Sequence, residues 1–381
     1  MSGIELAPFR NEASEQVLDV AQQRRVFHVL DMLRGIAAIM VVTLHNPYLW
    51  WWLDLPESFL AVDLFFVMSG VVIANSYEGR LLRGAPPMQF MGVRIIRLYP
   101  LYLLSLVLGI AATALGGFRD EWTRLPPAVT WLDGVVSALF MLPAVAVPQL
   151  INTRWTLTFE MAVNAVYGFL IRRLTTPVLI GIVGIAGAGI IKCVMTHGSL
   201  NFGWRLETLW VGGARVCYSF FLGVLIFRLS KRRTRPSMLA VALLVCMTAV
   251  LLGFSTSNAL VRDVWEIGAV LVAFPVIVWF AIGLEVGPRA RKAFAFFGLV
   301  SYGVYIIHQP ASVLFARLIE VLGAPVRHPP VAFSLVYLAL VIGGVWLLDR
   351  FYDAPVRRRL SAMLGPFRAR AQVRNAVVHR T

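Results

Sequence analysis

An arginine and a histidine, Arg34 and His45, lie eleven residues apart inside one apolar run, 29–48. Eleven residues make about three helical turns, so both side chains project from nearly one face, about 16 Å apart along the axis. Ionisable groups in so apolar a run are costly to bury and are functional candidates by default. The arginine is a fixed cation suited to anions, and the imidazole is a base or nucleophile. The bland counterparts are a snorkelling interfacial Arg34 and a His45 that merely hydrogen-bonds a neighbouring helix.

Further residues extend the pattern. Asp63, in the second apolar run, falls at a depth similar to His45 and is positioned either to hold that imidazole in one tautomer or to make a structural hydrogen bond. Glu160, just inside the fourth run, is expected at the same depth, so a histidine and two acids on different helices predict a site there. Arg94 and Arg97 are i, i+3 and point the same way. Their fork suits phosphate and suits plain anchoring at a basic membrane face equally well. Ser301, Tyr305 and His308 form one polar stripe on an apolar helix, fit either to line a cavity or to bond another helix. Cys193, Cys217 and Cys246 lack metal-ligand spacing, and no metal is expected.

The elements that must position these groups are membrane helices. The chain has 381 residues, 59% of them hydrophobic and 14% charged, with a mean hydropathy of +0.74. That composition excludes a soluble globular domain. Apolar windows at 29–48, 58–77, 95–116, 155–171, 177–195, 211–229, 237–254, 264–284, 297–320 and 331–349 each approach or exceed membrane length. An all-α polytopic membrane protein of about ten transmembrane helices follows, with the N-terminus and C-terminus both cytoplasmic. In that arrangement 25 of the 35 Lys and Arg fall in inner segments, as the positive-inside rule expects. The stretch 131–147, broken by Asp133 and Pro143, is read as a re-entrant or outer-surface helix, because an eleventh crossing would invert every later loop.

The net charge of +15 is therefore a topology signal, and no nucleic-acid partner is expected. The Arg357-Arg358-Arg359 run suits anionic membrane lipid and plain orientation alike. Residues 1–28 read as a cytoplasmic tail rather than a signal peptide, 29–350 as one transmembrane domain, and 351–381 as a basic cytoplasmic tail. No appended soluble domain is expected.

Taken in order, the Arg34/His45 helix, Asp63–Gly70, Arg94/Arg97 before Tyr99-Pro100, Trp155–Glu160 and Ser301-Tyr302…His308 resemble the acyltransferase 3 family. The likeness spans about residues 28 to 350. It implies a multi-pass protein of the cell inner membrane that moves an acyl group, usually acetyl, from cytoplasmic acyl-CoA to a hydroxyl of an envelope carbohydrate or glycolipid. On that reading Arg94 and Arg97, with Arg34, hold the acyl-CoA phosphates. His45 is the general base or a transient acyl carrier, and Asp63 and Glu160 orient it or bind the sugar. Trp155, Ser301, Tyr302, Tyr305 and His308 line the substrate cavity, and acyl-CoA is a donor substrate rather than a bound cofactor. The chain departs from the pattern at Met32, where Gly is frequent, at Thr156, where Ser is frequent, and at Asn164, where an aromatic residue is common. The competing function is a proton-coupled secondary transporter using Asp63, Glu160 and His45, although paired broken spans and inverted repeats are not evident.

Overall fold

The computed structural model describes residues 25–115, 131–142, 151, 153–230, 235–326 and 328–365. They form helices α1 (His28–His45), α2 (Pro56–Leu82), α3 (Pro87–Ala114), α4 (Trp131–Leu139), α5 (Arg154–Leu170) and α6 (Thr176–His197). There follow α7 (Leu206–Leu229), α8 (Met238–Leu252), α9 (Ala259–Ala281), α10 (Pro288–Val321) and α11 (Val331–Leu364). The sole strand pairing among the described residues is a two-residue parallel contact of Arg235–Pro236 with Leu284–Glu285.

All ten apolar windows fall on helices. Eight of these helices are long and apolar enough to cross a membrane, while α5 and α8, with 17 and 15 residues, are shorter. The nine residues of α4 give about 14 Å of helix, too little to cross a roughly 30 Å core. The rest of the 131–147 stretch, from 143 on, lies outside the described residues. So do 1–24, most of the expected N-terminal tail, and 366–381. The expected boundary at 350/351 falls within α11, which runs on to Leu364.

Prolines shape these helices. Pro56, Pro87 and Pro288 open α2, α3 and α10, where a missing N–H costs nothing. Pro275 and Pro355 each follow a π-helical turn, Ala269–Ala273 in α9 and Asp349–Asp353 in α11. A proline ring collides with the carbonyl four residues back, and the wider turn relieves that collision. Inside α10, Pro310 deprives the Ile306 carbonyl of its usual donor, and the Ser105 hydroxyl of α3 supplies one at 2.6 Å. The bond replaces what the proline removed and ties α10 to α3.

Two helix pairs run in the same direction. On α1 and α10, Asp31 lies against Gly298 and His45 against His308. On α2 and α7, Asp63 meets Arg215, Gly70 meets Phe220, and Glu78 meets Arg228. The second crossing is close because Gly70 and Gly223 carry no side chain. A Cβ on Gly70 would lie 2.0 Å from the Phe220 carbonyl oxygen, and one on Gly223 would lie 2.1 Å from that of Val67. Small residues of this kind let helix backbones approach inside a membrane.

Candidate active site

A cavity of about 160 Å³ opens between α1, α2, α3, α5 and α10. Arg34, Arg94, Arg97, Ser69 and Glu160 line one part of it, and Val62, Phe65, Thr156, Ser301, Tyr302 and Tyr305 line the remainder together with further apolar groups. Six residues singled out in the sequence as donor-binding or cavity-lining therefore line this one cavity. Trp155 and His308 do not reach it.

The charges in the cavity are unevenly satisfied. Arg94 Nη2 donates to Glu160 Oε1 at 2.8 Å, and the Ser69 hydroxyl donates to the same oxygen at 3.0 Å. Arg97 reaches only as far as 3.8 Å from Asp353 Oδ2. Arg34 makes no ion pair with any described residue. Three guanidinium groups thus face one carboxylate, leaving the wall net positive. The i, i+3 spacing of Arg94 and Arg97 puts both on the cavity side of α3, and Pro100 follows one residue after Tyr99 without ending the helix.

Two expectations about the acids need correction. Glu160 does not join His45; it joins the arginines. Its partner Ser69 lies six residues beyond Asp63 on α2, about 9 Å of helix, so Glu160 sits well past the level of Asp63. Asp63 does not hold the His45 ring either. Arg215 Nε approaches both of its oxygens, at 3.1 and 3.2 Å, and Arg215 Nη2 lies 2.5 Å from Oδ2. The same guanidinium donates to the carbonyls of Leu200 and Phe202 and lies 5.6 Å from the ring centres of Phe59 and Trp155. Trp155 accordingly packs on this ion pair. Arg215 escaped notice although it lies inside an apolar window, where the rule that flagged Arg34 applies equally.

His45 ends α1. Its Nδ1 lies 3.0 Å from the Val41 carbonyl oxygen, and since a carbonyl can only accept, Nδ1 carries hydrogen. In the neutral ring Nε2 is then a free lone pair, the form a base or nucleophile requires. His308 is arranged identically, with Nδ1 3.0 Å from the Val304 carbonyl, and its buried Nε2 has no hydrogen-bond partner. The two rings lie 5.2 Å apart. Tyr305 links them to the cavity: its ring is 6.4 Å from His308 and 5.5 Å from Phe65, edge-on. Thr156 Oγ1 spends its proton on the Thr153 carbonyl at 2.8 Å, so the Tyr305 hydroxyl donates to Thr156 at 2.8 Å. Tyr302 donates to the Leu98 carbonyl at 2.7 Å, and Ser301 to the Gly298 carbonyl within its own helix at 2.9 Å. Among the described residues no group of three or more His, Cys, Asp or Glu could hold a metal ion.

The chain is thus a helical membrane protein with an arginine-lined cavity beside a pair of imidazole rings. The family model for the acyltransferase 3 domain matches residues 27–350, and the chain belongs to that family. It is 36% identical over 154 residues to "Protein 2 in picA locus" of Rhizobium radiobacter, covering 37% of this chain and 80% of that one. It is 28% identical over 315 residues to "Exopolysaccharide production protein ExoZ" of Rhizobium meliloti (strain 1021), covering 78% of this chain and 89% of that one. No solved structure matches the chain.

Proposed function

We propose that this acyltransferase moves an acyl group, acetyl in the first instance, from acyl-CoA to a hydroxyl of an envelope polysaccharide or glycolipid. The observation that carries the reading is the convergence of Arg34, Arg94 and Arg97 on one cavity whose far wall leads through Tyr305 to His308 and His45. The name of the relative ExoZ directs the acceptor toward exopolysaccharide.

The parallel helix pairs support the orientation this requires. Parallel neighbours must be separated by an odd number of crossings. Between α1 and α10 lie α2, α3 and α5 to α9, which are seven; between α2 and α7 lie α3, α5 and α6, which are three. Both counts are odd if α4 does not cross, in keeping with ten spans. The distribution of lysines and arginines supports the same orientation, with both termini and the arginine end of the cavity facing the cytoplasm.

The phosphates of acyl-CoA bind the arginines as charge-assisted hydrogen bonds, and the thin pantetheine arm runs along the cavity toward Tyr305. His45 Nε2 takes the proton of the acceptor hydroxyl as its oxygen attacks the thioester carbon. The carbon–sulfur bond then breaks, and the imidazolium returns the proton to the departing thiolate. Nothing in this sequence uses Asp63, whose carboxylate is committed to Arg215.

The test is complementation of a deletion strain. Mass spectrometry of its envelope glycans and lipids should reveal a lost acyl mass that wild type restores and His45→Ala does not, with both proteins inserted in equal amount. Restoration by His45→Ala to the wild-type level would exclude the mechanism. Transport of the acceptor without acyl-CoA by reconstituted vesicles would favour the transporter.

A further inference from the structure

Resting on that reading of the donor, we infer that the end of α11 is part of the acyl-CoA site. There Arg357 binds a second phosphate of the donor, and Asp353 is the counter-ion that this phosphate displaces. The matched family domain ends at residue 350, so these residues lie outside it.

The placement begins with Pro355. Its ring would strike the Phe351 carbonyl in a regular helix, and the π turn Asp349–Asp353 absorbs the conflict. The helix beyond the turn lies back along α3. The Tyr352 hydroxyl donates to the Pro100 carbonyl at 3.2 Å, and Leu364 packs where Gly92 leaves no side chain. The stretch of α3 between those contacts, from Gly92 to Pro100, is the one that carries Arg94 and Arg97. The last turns of α11 therefore back the arginine wall on the side away from the cavity.

Asp353 stands between two cations. It is completely buried, with Arg97 at 3.8 Å and Arg357 Nε at 2.8 Å from Oδ2, while Arg357 Nη2 donates an aligned hydrogen bond to Asp349 Oδ1 at 2.8 Å and keeps that partner. Yet neither Asp353 oxygen has a hydrogen bond of acceptable direction, and Arg357 Nε lacks one too. The contrast with Asp63 and Arg215, joined by aligned bonds to both oxygens, is plain. A carboxylate held by proximity without alignment is a weak competitor for a guanidinium, and phosphate offers more charge and more acceptor oxygens.

Coenzyme A carries phosphate in two places, the diphosphate that follows the pantetheine arm and the 3′-phosphate on the ribose. Arg34, Arg94 and Arg97 line the cavity and face the diphosphate at the end of the arm. Arg357, on the far side of Asp353 and only 22% exposed, is positioned for the 3′-phosphate.

Binding of CoA and of 3′-dephospho-CoA to the purified full-length protein in phosphatidylcholine nanodiscs tests the assignment. Arg357→Ala should weaken CoA roughly tenfold to a hundredfold, leave 3′-dephospho-CoA unchanged, and be partly rescued by Arg357→Lys. Asp353→Asn should act in the opposite direction and tighten CoA, which a purely structural ion pair would not produce. Equal weakening of both ligands by Arg357→Ala, no weakening of either, or weaker CoA binding in Asp353→Asn would overturn the inference while leaving the proposed function intact. Loss of the Arg357 effect when phosphatidylglycerol replaces phosphatidylcholine would assign the site to a lipid headgroup instead. A wild-type protein that binds neither ligand would refute the proposed donor itself, and this site with it.

Discussion

Asp63 and Arg215 close an ion pair across the parallel contact of α2 and α7, with both side chains excluded from solvent and Nη2 2.5 Å from Oδ2. The pair fixes the height of one helix against the other, and Gly70 and Gly223 allow the approach that lets it form. Its partners are 152 residues apart in sequence.

Removing one partner strands the other. Asp63→Ala and Arg215→Ala should each cost about 3–5 kcal/mol, whereas the double replacement Asp63→Leu/Arg215→Leu should recover most of that loss. Thermal unfolding in detergent measures all three. An Asp63→Ala protein that unfolds like wild type and fails only in transfer would return Asp63 to the chemistry.

The cavity arginines should separate by their bonding. Arg34 has no ion pair among the described residues, so Arg34→Ala should leave stability within about 0.5 kcal/mol of wild type and raise the KM for acyl-CoA. Arg94→Ala also deprives Glu160 of its cation and should lower stability as well as donor affinity. Unfolding curves beside donor titrations distinguish the two, and equal destabilisation would contradict the assignment.

Glycine should matter only where helices touch. Gly70→Ala drives a Cβ into the Phe220 carbonyl and should abolish most folded protein, while Gly181 and Gly184 on α6 have nothing within 4 Å of the same position. Alanine at either of those should be tolerated, or stabilising by up to about 1 kcal/mol through helix propensity. Monodisperse yield after extraction is the readout; comparable yields of Gly70→Ala and Gly181→Ala would show that the α2–α7 contact has room.

The helices and the arginine cluster were legible because their signals are local. Hydropathy marks each span, and i, i+3 spacing aims Arg94 and Arg97 together whatever surrounds them. Lateral neighbours are another matter. Hydropathy says that Asp63 needs a partner but not which helix provides it, since any span at that depth can approach. His45 was the obvious choice and Arg215 the actual one. Glu160 likewise finds a partner that its own helix does not name, Arg94 of α3, 66 residues away. Asp353 and Arg357 fall in the stretch 351–381 that reads as a basic tail, where a charge needs no explanation.

The contact between α1 and α10 sets a timetable for synthesis. Tyr48, just beyond α1, bonds the carbonyl of Ser312 across 264 residues of chain. At about 5–20 residues per second, a ribosome delivers the Tyr305 and His308 segment roughly 13–50 s after His45 has left it. Throughout that interval the first helix holds its imidazole without the wall that completes the cavity. A half-made chain therefore lacks the Ser301, Tyr302 and Tyr305 side of the cavity until α10 arrives.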